Sequence, residues 1–441
     1  VKKLLIISPH FPPVNAPDMQ RIRLALPYLR NCGWDPTVLA VEPESVEGAV
    51  LDPLLETTYP ADIRVIRVKG FSPRSTRWAG IGSLWWRCGR ALRKAGDSLL
   101  AHESFDLVFF STTQFDVFTL GPRWKKRFGV PFALDYQDPW VNDYYRDTNT
   151  RPPGGSFKFW FSQFTARRRE PAVLHEASAV VSVSAAYGPD LHRRYPWFST
   201  DMVHTIPFGA SVEDLVIART HRPADTLVPF GDGDFHQVYA GRCGPDMTIA
   251  LTILFRAFRR FLDSHPHEAA RHRFHFIGTD YAPPPLGRYW ALPVADSEGV
   301  RAHVTEHCYR VPYFDALYYL TSADALIVVG SNDPTYSASK IFPYLFARRP
   351  IITIAHQKSL MLPLALQQGI ATSYSFTSET KITSLVERVY QEWFVENGCH
   401  KLHQDKLRLL EPHTAISMTG RLVSVFDSII ANASRTDEAV N

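Results

Sequence analysis

Two aspartates three residues apart, Asp135 and Asp138, close a short apolar run, Val130-Pro131-Phe132-Ala133-Leu134. A buried strand ending this way carries carboxylates to the rim of a sheet, where they orient a hydroxyl or accept its proton. Asp138-Pro139 also suits the start of a turn. His10, in a proline-bounded loop after Leu4-Leu5-Ile6-Ile7, is a second candidate base. A different chemistry is written at Tyr336-Ser337-Ala338-Ser339-Lys340, directly before the apolar run Ile341-Phe342-Pro343-Tyr344-Leu345-Phe346-Ala347. Ser337 or Ser339 can cap a helix there, leaving backbone N–H groups and a positive dipole end for an anion. Lys340 opposes that dipole unless an anion sits beside it, and a phosphate satisfies all these groups together. A capped surface helix with a solvated lysine is the plainer reading. Asp232-Gly233-Asp234 has metal-holding spacing, but glycines and prolines surround it, so it reads as a turn and no metal site is expected.

The elements that must position these groups follow one grammar twice. In the first half, runs at 3–8, 36–41, 62–68, 106–111, 131–134 and 179–184 read as strands, with helical spacing at 19–31 and 185–194. In the second half, strands are expected at 237–240, 273–277, 323–329 and 351–354, and helices at 248–262, 339–347, 382–397 and 406–431. Alternating strands and helices, with mostly continuous apolar strands, imply parallel sheets covered on both faces. The chain's 441 residues exceed one ordinary core. The fold class is therefore α/β, with two doubly wound, Rossmann-like parallel-sheet domains and a ligand cleft at the strands' carboxyl ends. The expected divisions are 1–206, a linker at 207–235 with little periodicity, 236–410, a terminal helix at 411–432 returning to the first domain, and a frayed tail at 433–441.

No run of about 18 apolar residues is present, so no spanning helix is expected. The opening residues read as a strand rather than a signal peptide, which implies a cytoplasmic protein. Cys32, Cys88, Cys243, Cys308 and Cys399 are far apart and odd in number, so they are expected as reduced core thiols. Cations alternate with aromatics over residues 71–95 (Arg77, Trp78, Trp85, Trp86, Arg90, Arg93) and 157–169 (Lys158, Trp160, Phe161, Arg167, Arg168). Such patches suit peripheral contact with an anionic membrane, equally a pair of helices with buried tryptophans and solvated arginines.

Several segments together resemble family-4-like glycosyltransferases of GT-B fold, in particular the bacterial polysaccharide and glycan-assembly branch. They are Ser8-Pro9-His10-Phe11-Pro12-Pro13 with Arg21 and Cys32-Gly33-Trp34, then Asp135-Tyr136-Gln137-Asp138-Pro139-Trp140, Ile206-Pro207-Phe208-Gly209, Tyr239-Ala240-Gly241-Arg242, and the Ser337–Lys340 segment. The resemblance implies a retaining, metal-independent glycosyltransferase. It would move a sugar from a nucleotide-diphosphate sugar, a substrate rather than a cofactor, to a glycan or lipid-linked acceptor at the inner face of a membrane. No nucleic-acid partner is expected. Carried over, Arg242 and Lys340, with the amides near Ser337 and Ser339, hold the diphosphate. Gly278, Thr279, Tyr309 and Arg310 lie where the family places the nucleoside. Asp138 is the first choice of catalytic group, with Asp135 and His10 beside it. The chain departs from the pattern at Pro343, where the family has a glutamate, at Gln137 for a histidine and at Thr248 for a lysine. The alternative readings are a non-catalytic sugar-nucleotide or glycan-binding relative, or a GT-B epimerase or phosphorylase.

Overall fold

A computed structural model describes residues 1–78, 82–142, 155–282, 284–332, 341–359, 362, 365, 371–377, 382–402 and 410–440. The chain divides into two compact units, Val1–Gly209 with Ala415–Asn441, and Ala210–Thr414.

The first unit alternates strands and helices: β1 (Lys2–Ile7), α1 (Gln20–Leu29), β2 (Trp34–Val41), β3 (Arg64–Val68), α2 (Leu84–His102), β4 (Leu107–Ser111), α3 (Leu120–Phe128), β5 (Phe132–Tyr136), α4 (Ser156–Glu176), β6 (Ala179–Ser182) and β7 (Val203–Thr205). The strands form one parallel sheet in the order β3-β2-β1-β4-β5-β6-β7. Alternate residues of each strand feed opposite layers, as a period of two requires. Leu5, Ile7, Phe110 and Leu134 pack under α2, α3 and α4. Leu4, Ile6, Phe109 and Ala133 pack under α1 and the terminal helix Ala415–Val440, which inserts Met418, Leu422 and Phe426. That helix begins later than expected and runs through the segment read as a frayed tail.

The second unit contains α5 (Val212–Thr220), β8 (Phe235–Ala240), α6 (Thr248–Ser264), β9 (His272–Ile277), α7 (Ala291–Ser297), β10 (Val304–His307), α8 (Tyr313–Ser322), β11 (Ala325–Val329), α9 (Ile341–Phe346), β12 (Ile351–His356), β13 (Thr372–Phe376) and α10 (Ile382–Val389). Its sheet, again parallel, runs β10-β9-β8-β11-β12-β13. The segment expected as an aperiodic linker holds α5, which Ser211 caps by accepting from the Asp214 N–H at 3.0 Å. Tyr319 fastens the following stretch, accepting from Leu227 N–H and donating to the Asp225 carbonyl. Glycines and prolines there punctuate turns inside the unit. Three strands absent from the sequence expectation, β7, β10 and β13, are all sheet edges, where one face is wet and the apolar run is broken. Cys32 is exposed, whereas the other four cysteines are buried. No described helix is long and apolar enough to cross a membrane.

Both sheets reverse their winding once, between β1 and β4 in the first unit and between β8 and β11 in the second. Ligands of open α/β sheets bind outside the carboxyl ends at such reversals.

Near β8 and β9 the second unit carries an unusual polar interior. Asp232, His236, His275 and Thr305 form a hydrogen-bonded series, with 3.0, 2.9 and 2.7 Å between successive members. His272 meets Gln237, which in turn accepts from Trp393. Burial disfavours the imidazolium form and lowers the pKa of His272 to about 4 and of His275 to about 3. An unfolded chain protonates these imidazoles near pH 6.5, but the folded unit does not, so the unfolded state binds more protons. Stability is therefore complete above pH 6.5 and falls as pH drops towards 4, by about 1.4 kcal/mol per pH unit for each histidine. Denaturant midpoints taken between pH 6.5 and 5 should show this slope, and the His275→Asn, His272→Gln double variant should flatten it.

Candidate functional site

In the first unit, β1 ends at Ile7 and the chain turns at once into His10. Its Nδ1 lies 2.9 and 3.0 Å from the two carboxylate oxygens of Asp18. Asp18 is fixed in turn by residues just beyond β4, accepting from the Thr112 hydroxyl at 2.9 Å and the Thr113 N–H at 3.2 Å. The pair thus spans the β1/β4 reversal. Burial opposes charge on His10, but the charge and hydrogen bond of Asp18 outweigh it and raise the imidazole's pKa. Burial likewise opposes the Asp18 carboxylate, yet His10 and the Thr113 and Thr112 donors hold its pKa down. With Nδ1–H committed to Asp18, Nε2 of a neutral His10 keeps its lone pair for another donor. Asp18 carried no signal of its own in the sequence. Eight residues separate it from His10, in a one-turn helix before α1.

Asp138 follows β5 and is exposed on one side, with protein crowded around the rest of the carboxyl. That burial, and after it the charge of Asp18, raises its pKa to about 6. It lines a cavity of about 560 Å³ together with Trp85, Phe115, Trp140, Phe159 and Gln163. Asp116 in the same wall is neutralised by Arg169 at 2.6 Å. Aromatic faces beside amide and carboxyl groups suit a ligand that is apolar on its faces and hydroxylated at its edge.

Asp135 behaves differently from the expectation. The strand β5 continues through Tyr136, so alternation turns Asp135 into the layer of α1, where it is wholly buried. Its Oδ2 accepts from Arg21 Nε at 2.8 Å, the Ser111 hydroxyl at 2.8 Å and Gln137 Nε2 at 2.7 Å. Asp135 therefore positions the site and does not meet an acceptor. Gln137 is spent on this network and on the Asp18 carbonyl, 2.9 Å away.

In the second unit, Arg242 follows β8 and forms a two-pronged pair with Asp246, at 3.0 and 2.7 Å. Burial works against the Asp246 carboxylate, but Arg242 and the Ser331 hydroxyl hold its pKa low. The Asp246 carbonyl accepts from Asn332 N–H at 2.8 Å, which brings Arg242 to the β8/β11 reversal. Arg242 is thus not an idle guanidinium: Asp246 engages it, and an anion bound there would share it. Lys340, Ser337 and Ser339 lie outside the described residues.

Gly278 and Thr279 follow β9, and Tyr309 and Arg310 follow β10. Backbone bonds lace the three turns together, from Cys243 N–H to the Thr279 carbonyl at 2.9 Å and from Gly278 N–H to the His307 carbonyl at 2.8 Å. Gly278 has φ +71°, the left-handed region that favours glycine. The Thr279 side chain is buried and donates to Glu306 at 2.6 Å, so only its backbone is available to a ligand. Arg310 stands over the Tyr281 ring at 5.9 Å. Asp232 and Asp234 form no paired-carboxylate site: Asp232 accepts from the Asp234 N–H and from His236, and Asp234 pairs with Arg273.

Residues 20–209 match the model of the glycosyl transferase 4-like domain. The match lies within the first unit. No curated protein matches the chain significantly. Among solved structures, HepE of Anabaena in complex with UDP and glucose superposes with a TM-score of 0.59 at 12% identity, covering 97% of this chain and 100% of its own. A glycosyltransferase from Rickettsia africae gives 0.59 at 12%, covering 98% and 99%. A UDP-forming α,α-trehalose-phosphate synthase from Burkholderia xenovorans gives 0.58 at 12%, covering 97% and 99%. At such identities the likeness establishes the fold, and the expected family-4-like glycosyltransferase of GT-B fold is borne out.

The positions at which this chain departs from the family pattern have local structural roles. Thr248 opens α6, its hydroxyl donating to the Pro245 carbonyl at 2.8 Å. Pro343 lies in the first turn of α9, where a missing N–H is tolerated. Next to it, the Tyr344 hydroxyl both accepts from Ala240 N–H (2.7 Å) and donates to the Ala240 carbonyl (2.9 Å), clamping the end of β8.

Asp135→Ala should leave Arg21 as an uncompensated buried charge and lower unfolding free energy by about 3–5 kcal/mol in urea titrations. A loss below about 1 kcal/mol, the range of exposed pairs, would show that this pair does not organise the unit.

Proposed function

We propose that the protein transfers a sugar from a nucleotide-diphosphate sugar to a glycan or lipid-linked acceptor, without a metal ion. The acceptor hydroxyl is held by the first unit and the donor diphosphate by the second. The observation that carries this reading is the His10–Asp18 pair at the sheet reversal of a glycosyl transferase 4-like domain. HepE was solved with UDP and glucose and also with UDP-glucose, which makes a uridine-diphosphate sugar the first donor to try.

The new bond forms between the acceptor oxygen and the anomeric carbon, and the bond from that carbon to the diphosphate oxygen breaks. Arg242, with Lys340 and the amides near Ser337 and Ser339, stabilises the charge that gathers on the departing diphosphate. His10 Nε2 accepts the hydrogen bond of the attacking hydroxyl, and Asp18 is the positioning residue that fixes its tautomer. Asp138 orients the acceptor from the cavity wall. The family resemblance supports retention, in which the departing diphosphate takes the acceptor's proton. The His10–Asp18 pair favours a second outcome, inversion with His10 as the base. NMR of the product anomer distinguishes the two.

Under inversion with His10 as the base, His10→Ala should lower kcat by roughly 100-fold or more, the usual scale of general-base loss. Asp18→Asn should also lower kcat and move the acid limb of the kcat/KM profile to lower pH, because the charge that raises the His10 pKa is gone. An unmoved limb would mean that Asp18 serves folding alone. In calorimetry, Arg242→Ala should weaken nucleotide-diphosphate binding by about 1.5–3 kcal/mol, as for charged hydrogen bonds, and a chelator should not change the wild-type affinity. Unchanged affinity in the variant would remove Arg242 from the donor site. A protein that binds the donor but transfers nothing to any acceptor would be the non-catalytic relative.

A further inference from the structure

The helices α2, α3 and α4 form one layer over the same face of the first sheet. Its outer side is unusual in two respects. In the first turns of α4, Phe157, Trp160, Phe161 and Phe164 follow helical spacing and are 40–78% exposed. They are not scattered: Phe157 stacks on Trp160 at 6.2 Å, Trp160 on Phe164 at 5.6 Å, and the Arg168 guanidinium caps Phe164 at 4.2 Å. Trp86, in the first turn of α2, is 59% exposed. The second feature is charge. Between α2 and α3 lies a shallow groove of about 420 Å³ lined by Arg90, Arg93, Lys94, Arg123 and Arg127. Asp97 is the one carboxylate in its lining, shared by Arg123 and Arg127 at 3.1 and 3.0 Å.

We infer that this outer face seats the protein on an anionic lipid surface, with the cavity beside Asp138 opening at headgroup level. The inference rests on the glycosyltransferase reading and makes its acceptor a lipid-anchored one. Charge complementarity selects the occupant, since a helix layer carrying both exposed aromatic rings and cations, with Arg168 directly over Phe164, matches phosphate headgroups above an acyl boundary. The placement of the cavity supplies the function. Both helices begin after strands of the same sheet, β3 for α2 and β5 for α4, so the exposed rings stand at the carboxyl end that carries Asp138. The same two stretches also wall the cavity, through Ser83 and Trp85 beside Trp86, and through Phe159 and Gln163 beside Trp160. One face of α4 thus meets lipid and the other meets the acceptor's polar head.

Flotation with phosphatidylcholine vesicles, with and without phosphatidylglycerol, tests this on the full chain. Wild type should float with the anionic vesicles only, and high salt should release it. The Trp160→Ser, Phe164→Ser double variant should partition at least about tenfold more weakly. Replacing Arg90, Arg93 and Lys94 by glutamine should weaken anionic binding by about a hundredfold. UDP binding, measured in parallel, should stay unchanged in both variants. Wild type that binds UDP but no vesicle overturns the docking face and leaves the transferase reading standing. A wild-type dimer that the α4 variant dissociates, without vesicle binding, overturns it in favour of a second copy. Vesicle binding without UDP binding would instead remove the transferase reading on which the acceptor assignment rests.

Discussion

One buried guanidinium holds the working end of the first unit together. Arg21, on α1, reaches Asp135 on β5 through Nε and the carbonyl of Ile206, just past β7, through Nη2 at 2.8 Å. The same carboxylate oxygen of Asp135 receives Ser111 from the end of β4 and Gln137 from the loop after β5, and Gln137 passes the connection on to the carbonyl of Asp18. A buried ion pair is a poor source of net stability, because desolvation offsets most of the attraction. Its value here is geometric: it ties α1 and the turn after β7 to the ends of β4 and β5, which the sheet already pairs at Ser111 and Asp135. His10 and Asp18 are set on that frame.

The second unit meets the same problem with different residues. Its sheet also reverses once, and the pair that spans the reversal is Arg242 with Asp246, tied to Ser331 and Asn332 beyond β11. A guanidinium pre-oriented by a carboxylate loses less freedom when a diphosphate arrives, at the expense of sharing its charge. In the proposed transfer the first unit's reversal would supply the proton acceptor and the second unit's reversal the anion holder.

The histidine-rich interior of the second unit serves no step of transfer as proposed. Asp232, His236, His275 and Thr305 satisfy one another across β8, β9 and β10, so their burial is tolerated. The Asp-x-Asp pattern at 232–234 is absorbed there as an N-terminal turn of that network. Its spacing alone resembled a metal motif, and only the neighbours His236 and Arg273 show where its charges go.

Much of the architecture was legible because its signals are local. Continuous apolar runs such as Leu4-Leu5-Ile6-Ile7 and Ala325-Leu326-Ile327-Val328-Val329 can only be strands buried on both faces, and their alternation with helices demanded parallel sheets. Of the four edge strands, β3 was read correctly, whereas β7, β10 and β13 were missed because half of each is wet. His10 and Asp138 were legible as candidates because each follows a strand, whereas Arg242 was named only by the family resemblance. What local pattern could not supply was partnership. Asp135 looked as available as Asp138, yet a strand two residues longer than its apolar run turns one into a buried frame and leaves the other at a cavity. Asp18, with no motif of its own, becomes the partner of His10 only when β1 and β4 lie side by side. Sequence determined which side chains carry chemistry and roughly where along each strand they sit, because those depend on period and run length. Which of them meet, and hence which are spent on structure and which remain for a ligand, was decided by strand order, a property of the whole sheet.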